Sequence, residues 1–315
     1  MPKKKSPRKG SLQFWPRSRA KKILPRVNWR VIDSEKPGLN GFICYKAGMA
    51  SAYLKDNTPN SLTKGKNVIV PVTVLECPAM KILSIRFYKY GKVAKEILLE
   101  KLEKELKKKI KFPKKKMGKI DDVKTEEYDD VALVVYSLTK KSGVKKTPDI
   151  VEVGLNGSKE DKLKFVKEHI DKEFSVAEFF NSGDLVDFRG VTTGRGFQGP
   201  VKRFGIHLKA KKSEKGQRRP GSLGPWNPSR VTFRAPMAGQ TGFNTRVIYN
   251  SKLIKVSKTG EKNLKNIKNY GVVKNDYLIV NGSVQGPSKR QLVMTNALRK
   301  TKKQEKKSYE FLELR

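Results

Sequence analysis

The sequence predicts a mainly β protein with an α+β insert, from which a long irregular loop and an N-terminal arm stand apart. Three observations lead there. Short β-branched and aromatic runs, bounded by Gly, Pro and Asn, recur on both sides of the middle of the 315-residue chain. Helical signals are confined to 93–183. Two stretches, 1–36 and 193–244, are too basic and too interrupted by Gly or Pro to build a core of their own.

Residues 1–30 hold eleven Lys or Arg and no acid, with Phe14, Trp15 and Trp29 among them. An extended arm is expected, because so little apolar surface cannot offset the cost of ordering a chain. A targeting tail would need the charge but not the interleaved rings. Strands are expected over 41–45, 67–75 and 80–88. The run Val68-Ile69-Val70-Pro71-Val72-Thr73-Val74 reads as buried on both faces, with Pro71 demanding an edge or a bulge. Leu99, Leu102, Leu106 and Ile110 recur at helical spacing, so a helix is predicted over 93–110. Glu96, Glu100, Glu103 and Glu105, alternating with lysines, support it. Strands follow over 131–138 and 150–155. Ser158 is the expected N-cap of a helix reaching Ile170, and Ser175 of a short one reaching Phe180. A strand over 185–191 leads into the loop. Beyond it, strands are expected over 245–257, 277–280 and 291–295, with turns at Asn281-Gly282 and Gly286-Pro287. Residues 300–307 read as a solvated charged tail placed to touch phosphate.

The loop says most about a partner. Residues 189–246 contain thirteen Lys or Arg, one acid (Glu214), ten glycines and five aromatics. Charges of one sign at this density repel in a compact shape, and burying them unpaired is costly. The segment therefore needs an anion to hold one conformation. Folded RNA offers phosphates for the cations and flat faces for the rings; the bland alternative is a disordered, solvated loop. Trp226, in Gly224-Pro225-Trp226-Asn227-Pro228, is either a local apolar plug or an exposed tip. The stiff flanks and the lack of apolar neighbours favour the tip. The whole chain carries a formal charge of +40, yet 95–173 holds 17 of the 30 acids and only 21 of the 70 bases. A nearly balanced insert is set in a strongly basic frame, and suits a solvent- or protein-facing surface.

Other chemistries find little support. No apolar run approaches the ~18 residues of a membrane span, and no amphipathic anchor is visible. The basic start lacks the apolar core of a secretory signal. Cys44 and Cys77 are expected to be reduced, in a cytosolic chain. Gly194-Arg195-Gly196-Phe197-Gln198-Gly199 has dinucleotide-loop spacing and follows a strand, but Pro200 stands where a helix should start. The acid expected about 20 residues on, at the end of a second strand, has only Glu214 as a candidate, and that lies within the basic run Lys212-Ser213-Glu214-Lys215. These glycines read instead as sites where the main chain approaches phosphate closely. His169 and His207 have no partners at metal-ligand spacing. No nucleophile or carboxylate pair is apparent, so the protein is expected not to be an enzyme, and to use no cofactor, metal or small-molecule substrate. The residues expected to contact RNA are Arg8, Lys9, Phe14, Trp15, Arg17, Arg19, Lys21, Lys22, Arg26, Trp29 and Arg30 in the arm. In and around the loop they are Arg189, Arg195, Phe197, Gln198, Lys202, Arg203, His207, Lys209, Lys211, Lys212, Lys215, Arg218, Arg219, Trp226, Asn227, Arg230, Arg234, Gln240 and Arg246.

Three blocks carry a family resemblance: Arg8-Lys9-Gly10-Ser11-Leu12-Gln13-Phe14-Trp15-Pro16-Arg17-Ser18-Arg19-Ala20, then the run from Gly190 through Gly194-Arg195-Gly196-Phe197-Gln198-Gly199-Pro200 to Gly205, then Arg219-Pro220-Gly221-Ser222-Leu223-Gly224-Pro225-Trp226-Asn227-Pro228 continuing to Met237-Ala238-Gly239-Gln240-Thr241-Gly242-Phe243. Together they resemble the universal large-subunit ribosomal protein L-three family. The likeness covers nearly the whole chain and is weakest across 95–174. It implies a six-stranded β-barrel similar to that of translation factors, with an insert, an RNA-binding loop and an arm. On that implication the arm is 1–36, the barrel 37–92, 184–192 and 245–299, the insert 93–183, the loop 193–244 and the charged tail 300–315. The resemblance further implies a structural constituent of the large ribosomal subunit, located on cytoplasmic ribosomes. It would bind large-subunit, 23S-type rRNA beside neighbouring ribosomal proteins and act early in assembly. Its loop, tipped by Trp226, would reach toward the peptidyl transferase centre. The first block and the tryptophan tip look archaeal or eukaryotic rather than bacterial, and the short stretch after Thr295 looks archaeal. Eukaryotic relatives carry a modified histidine in the loop; the matching run Lys212-Ser213-Glu214-Lys215-Gly216 has none, so no such modification is expected, and Glu214 is expected to pair with a nearby cation. The rival activities are an RNA-modifying enzyme using the Gly194 region and a DNA-compacting protein.

Overall fold

A computed structural model describes residues 7, 10–32, 37–100, 102–113, 127–258 and 264–315. The strands are β1 (Gly38–Leu39), β2 (Gly41–Asp56), β3 (Asn67–Glu76), β4 (Met80–Lys89), β5 (Lys92–Leu98), β6 (Asp130–Ser137), β7 (Ile150–Asn156), β8 (Leu185–Val191), β9 (Phe197–Gln198), β10 (Gly239–Gln240), β11 (Thr245–Ser257), β12 (Tyr277–Asn281), β13 (Gln291–Asn296) and β14 (Tyr309–Leu314). The helices are short: α1 (Thr139–Ser142), α2 (Lys159–His169), α3 (Val176–Phe179), α4 (Pro200–Phe204) and α5 (Lys302–Glu305). The chain separates into two compact units, Met1–Lys22 with Val191–Thr245, and Ile23–Gly190 with Arg246–Arg315.

The mainly β expectation holds. One sheet of the larger unit runs β13-β8-β11-β12-β3-β2-β14, and β13 also pairs with β2. Six strands are thus hydrogen-bonded in a ring, with β14 added outside it. The sixteen-residue β2 makes this possible. Its first residues pair with β13, its last with β14, and its other edge with β3. A second sheet, β1-β7-β6-β4-β5, forms the insert with α2 and α3; it takes in β1 and β4 from 37–92, the range expected for the barrel, because β4 pairs with β5 and β6 and not with the ring. One apolar cluster fills the ring and runs on into the insert, from Phe42, Leu75, Phe188 and Met294 to Ile85, Leu133 and Phe174. Tyr45 of β2 ties the two sheets with a polar link. Its hydroxyl donates to Asp149 Oδ2 at 2.6 Å, and burial together with that carboxylate pushes its pKa up. Cys44 and Cys77 are free and buried, with their sulfurs 3.2 Å apart.

Both serine caps are present. Ser158 accepts from Asp161 N–H at 3.3 Å in a capping box, and Ser175 accepts from Ala177 N–H at 3.3 Å. Four expectations are corrected. The helix over 93–110 does not form; β5 pairs antiparallel with β4 there, followed by a 3₁₀ turn at Lys104–Lys108. The overriding signal is Tyr90-Gly91. Both residues have positive φ, 50° and 74°, which makes a two-residue hairpin turn and fixes the next seven residues as a strand. The leucines still point inward: Leu106 is buried and Leu102 and Ile110 pack with it against the insert sheet. The run 68–74 is buried only from Val72 onward, with Ile69 60% exposed. Pro71 falls just past the β3–β12 ladder, where its missing N–H costs nothing. The charged tail contains a helical turn and then β14, whose Tyr309, Phe311 and Leu314 pack on the ring. Finally, a helix does follow Pro200, although it has only five residues.

Candidate nucleic-acid interface

The smaller unit begins where β8 runs out. Its two limbs are stitched together by main-chain bonds: Thr192 N–H to Asn244 O at 3.0 Å, Arg195 N–H to Thr241 O at 2.9 Å, and Thr241 N–H to Gly196 O at 2.9 Å. The β9–β10 ladder continues the closure. Gly242 sits at the tightest point, with φ of 69°, and a Cβ there would lie 2.0 Å from Thr193 O. No other residue fits. The glycine-rich run therefore serves first to bring two strands of main chain together.

Arginine completes the base of the loop. Arg203 donates Nε to Gln240 O at 3.1 Å and Nη1 to Met237 O at 2.9 Å. Burial lowers its pKa. Phe204 beside it is 5% exposed and is the aromatic centre of the unit. Trp15 stacks on Phe204 with centroids 6.3 Å apart, and meets Phe233 edge-on at 5.8 Å. Arg17 lies 4.3 Å over the Phe204 ring and donates to Arg203 O at 3.4 Å. The arm is pinned further along by Ala20 N–H to Phe243 O at 2.8 Å and by Arg19 over the Phe243 ring at 5.4 Å. A stretch with too little aliphatic material for an ordinary core thus makes a small one from rings and guanidinium planes.

This sorts the expected contact residues. Trp15, Arg17 and Arg203 face inward and hold the unit together. Gln198 and Gln240 make local bonds, to Arg195 O at 2.9 Å and to Gly242 O at 3.2 Å. Arg195, Lys202, His207, Lys209, Lys211, Lys212, Lys215, Arg218, Arg219, Asn227, Arg230 and Arg234 are exposed, as are Arg19, Lys21 and Lys22. Among the rings, Trp226 is 96% exposed, Phe197 78% and Phe14 46%. The plug alternative for Trp226 is thereby excluded. Glu214 makes no ion pair among the described residues, contrary to expectation. Arg26, Trp29, Arg30, Arg189 and Arg246 belong to the larger unit. Trp29 is partly buried there, packed on the main cluster. Arg8 and Lys9 lie outside the described residues. The structural parts of Phe204, Phe233 and Phe243 were missed; the available signal was an arginine within two residues of the first two.

The family model described as "Ribosomal protein L3" matches residues 1–314. Three curated relatives, each called "Large ribosomal subunit protein uL3", are similar along their length. The one from Methanocaldococcus jannaschii is 39% identical over 308 residues, covering 93% of this chain and 91% of its own. That from Archaeoglobus fulgidus is 41% identical over 309 residues, with 94% and 93% covered. That from Methanococcus vannielii is 40% identical over 312 residues, with 94% and 92% covered.

Proposed function

The chain belongs to the ribosomal protein L3 family, and from that premise we infer that it works in the large ribosomal subunit as a structural, rRNA-binding protein of archaeal type. Its ring of six strands serves as the translation-factor-like barrel and anchors the molecule. The smaller unit supplies the reach. Exposed lysines and arginines neutralise phosphates, so that RNA segments which repel one another fold together early in assembly. The tip extends toward the peptidyl transferase centre, where Trp226 bears on access of factors and transfer RNA. Ribosomal-protein neighbours dock on the charge-balanced insert.

One observation carries this reading. Trp226 stands 96% exposed in a stretch whose only acid is Glu214. A large indole left in water beside so many cations is poorly placed for solubility and well placed for a stacking polyanion. Reconstituting subunits with Lys202, Arg218 and Arg219 changed to Glu tests it. Arg203 is left intact because it holds the loop closed. Assembly is expected to fail; normal assembly would overturn the proposal. The rival activities predict other outcomes: tight binding of nicotinamide or adenosyl-methionine ligands for a modifying enzyme, and equal affinity for duplex DNA and structured rRNA at matched salt for a compacting protein.

A further inference from the structure

The larger unit carries a cavity of about 900 Å³ that no loop residue lines. Its floor is the insert sheet, through Tyr88, Ala132, Glu152 and Gly154. One wall is the segment holding Arg26, Trp29 and Arg30, another the hairpin turn Tyr90-Gly91, and a third the start of α2 with Lys159.

The acids in this cavity already have donors. Glu152 takes Arg86 Nη1 at 2.6 Å and the Tyr88 hydroxyl at 2.5 Å. Asp130 takes Lys162 at 2.7 Å, and Asp129 takes the Tyr90 N–H at 2.6 Å. Arg26 and Arg30 are exposed and Lys159 is half-buried, and among the described residues none of them has an acid within 4.0 Å. Three positive charges are therefore left over at the rim. Tyr90 is 86% exposed, yet its main chain is fixed by the turn and by Asp129. Lys89 Nζ lies 5.9 Å from its ring centre, adding positive charge beside an open aromatic face.

We propose that this cavity is a second RNA contact, which takes one unpaired nucleotide with its base on Tyr90 and its phosphates on Arg26, Arg30 and Lys159. A base-paired helix hides its base faces and would leave the ring unused. An acidic peptide would satisfy the three cations but offers no flat partner for the ring. The cavity also follows the arm in sequence: Arg26 is four residues beyond Lys22, so a strand tracked by the arm has cations waiting further along the chain. The inference rests on the rRNA-binding function proposed above.

The test uses the full chain and a large-subunit rRNA transcript substituted with 4-thiouridine, irradiated and mapped by mass spectrometry. Adducts are expected on the peptide containing Tyr90 as well as on the one containing Trp226. Tyr90→Leu should cut the first by about tenfold, from the loss of one stacked base, and leave the second unchanged. The double variant Arg26→Glu, Lys159→Glu should reduce the slope of log K against log salt by about 1.4, two phosphate contacts on a single strand. Tyr90 and Arg26 are exposed and Lys159 is half-buried, so a thermal melt of each variant against the parent chain confirms the fold before binding is read. Adducts on the Trp226 peptide alone, with an unchanged salt slope, would overturn the cavity inference and leave the proposed function standing. Adducts on neither would overturn both. A protein rather than a nucleotide found crosslinked to Tyr90 in assembled subunits would also sink the cavity as an RNA contact.

Discussion

Trp226 and Arg203 come from the same basic, glycine-laced stretch and have opposite parts. Trp226 touches nothing that matters for folding, so Trp226→Ala is expected to shift stability by less than ~0.5 kcal/mol. The same change should weaken binding to rRNA by ~1–3 kcal/mol. Thermal melts and filter binding read the two effects separately. Arg203 faces inward, and its planar fork reaches carbonyls of the returning limb at 2.9 and 3.1 Å. Arg203→Lys keeps the charge and loses the fork. Faster hydrogen exchange is expected at 239–241, by the equivalent of ~1–2 kcal/mol; exchange as slow as in the parent chain would make Arg203 a mere phosphate contact. Composition could not separate these two residues. Both read as cations or rings in a charged loop, and the distinction lies in partners more than thirty positions away, at Met237 and Gln240.

At the level of elements, the sequence was most legible where local chemistry and tertiary need agree. Ser158 announces α2, and the β-branched runs announce β8 and β11 to the residue. It was least legible where they conflict. The 93–110 segment has helix-forming Glu and Lys throughout, yet a hairpin turn of two residues commits it to β5, because a strand already standing beside it satisfies its main chain. β14 was hidden by the lysines before it; the alternation Tyr309-Glu310-Phe311, shifted by a bulge before Glu313-Leu314, was the overlooked signal. The β2–β3 connection gives a test of its own. Asp56 accepts from Thr58 N–H at 2.9 Å, Ser61 Oγ at 2.8 Å and Thr63 Oγ1 at 2.5 Å, and these donors hold its carboxyl well below the usual range. A group whose pKa falls on folding stabilises the native state above its unfolded pKa of about 4, and that contribution disappears as pH falls toward the folded value. The melting temperature of the parent chain should therefore exceed that of Asp56→Asn by most above pH ~5, with the gap closing toward pH ~2. A gap independent of pH would mean that the carboxylate's charge has no part in holding the turn.

The molecule as a whole is a near-neutral insert and a ring in one unit, and in the other an arm and loop whose charged residues are all basic but Glu214. With a formal charge of +40, its attachment to RNA should be governed by released counterions. Between 50 and 200 mM salt the affinity is expected to drop by roughly 10³–10⁵, as for ~6–10 phosphate contacts. An affinity that barely moved would point to recognition by shape or stacking alone. Ring closure has a further consequence. The strand that completes the circle, β13, lies last of the six in the chain and meets β2, the first. While the polypeptide is being synthesised, β2 therefore waits with an unpaired edge, long after its own residues have emerged, and strand edges of that kind invite intermolecular pairing. That edge stays open until β13 and β14, which cover the first and last residues of β2, have both been made, and a partner that shields it until then would keep newly made chains apart.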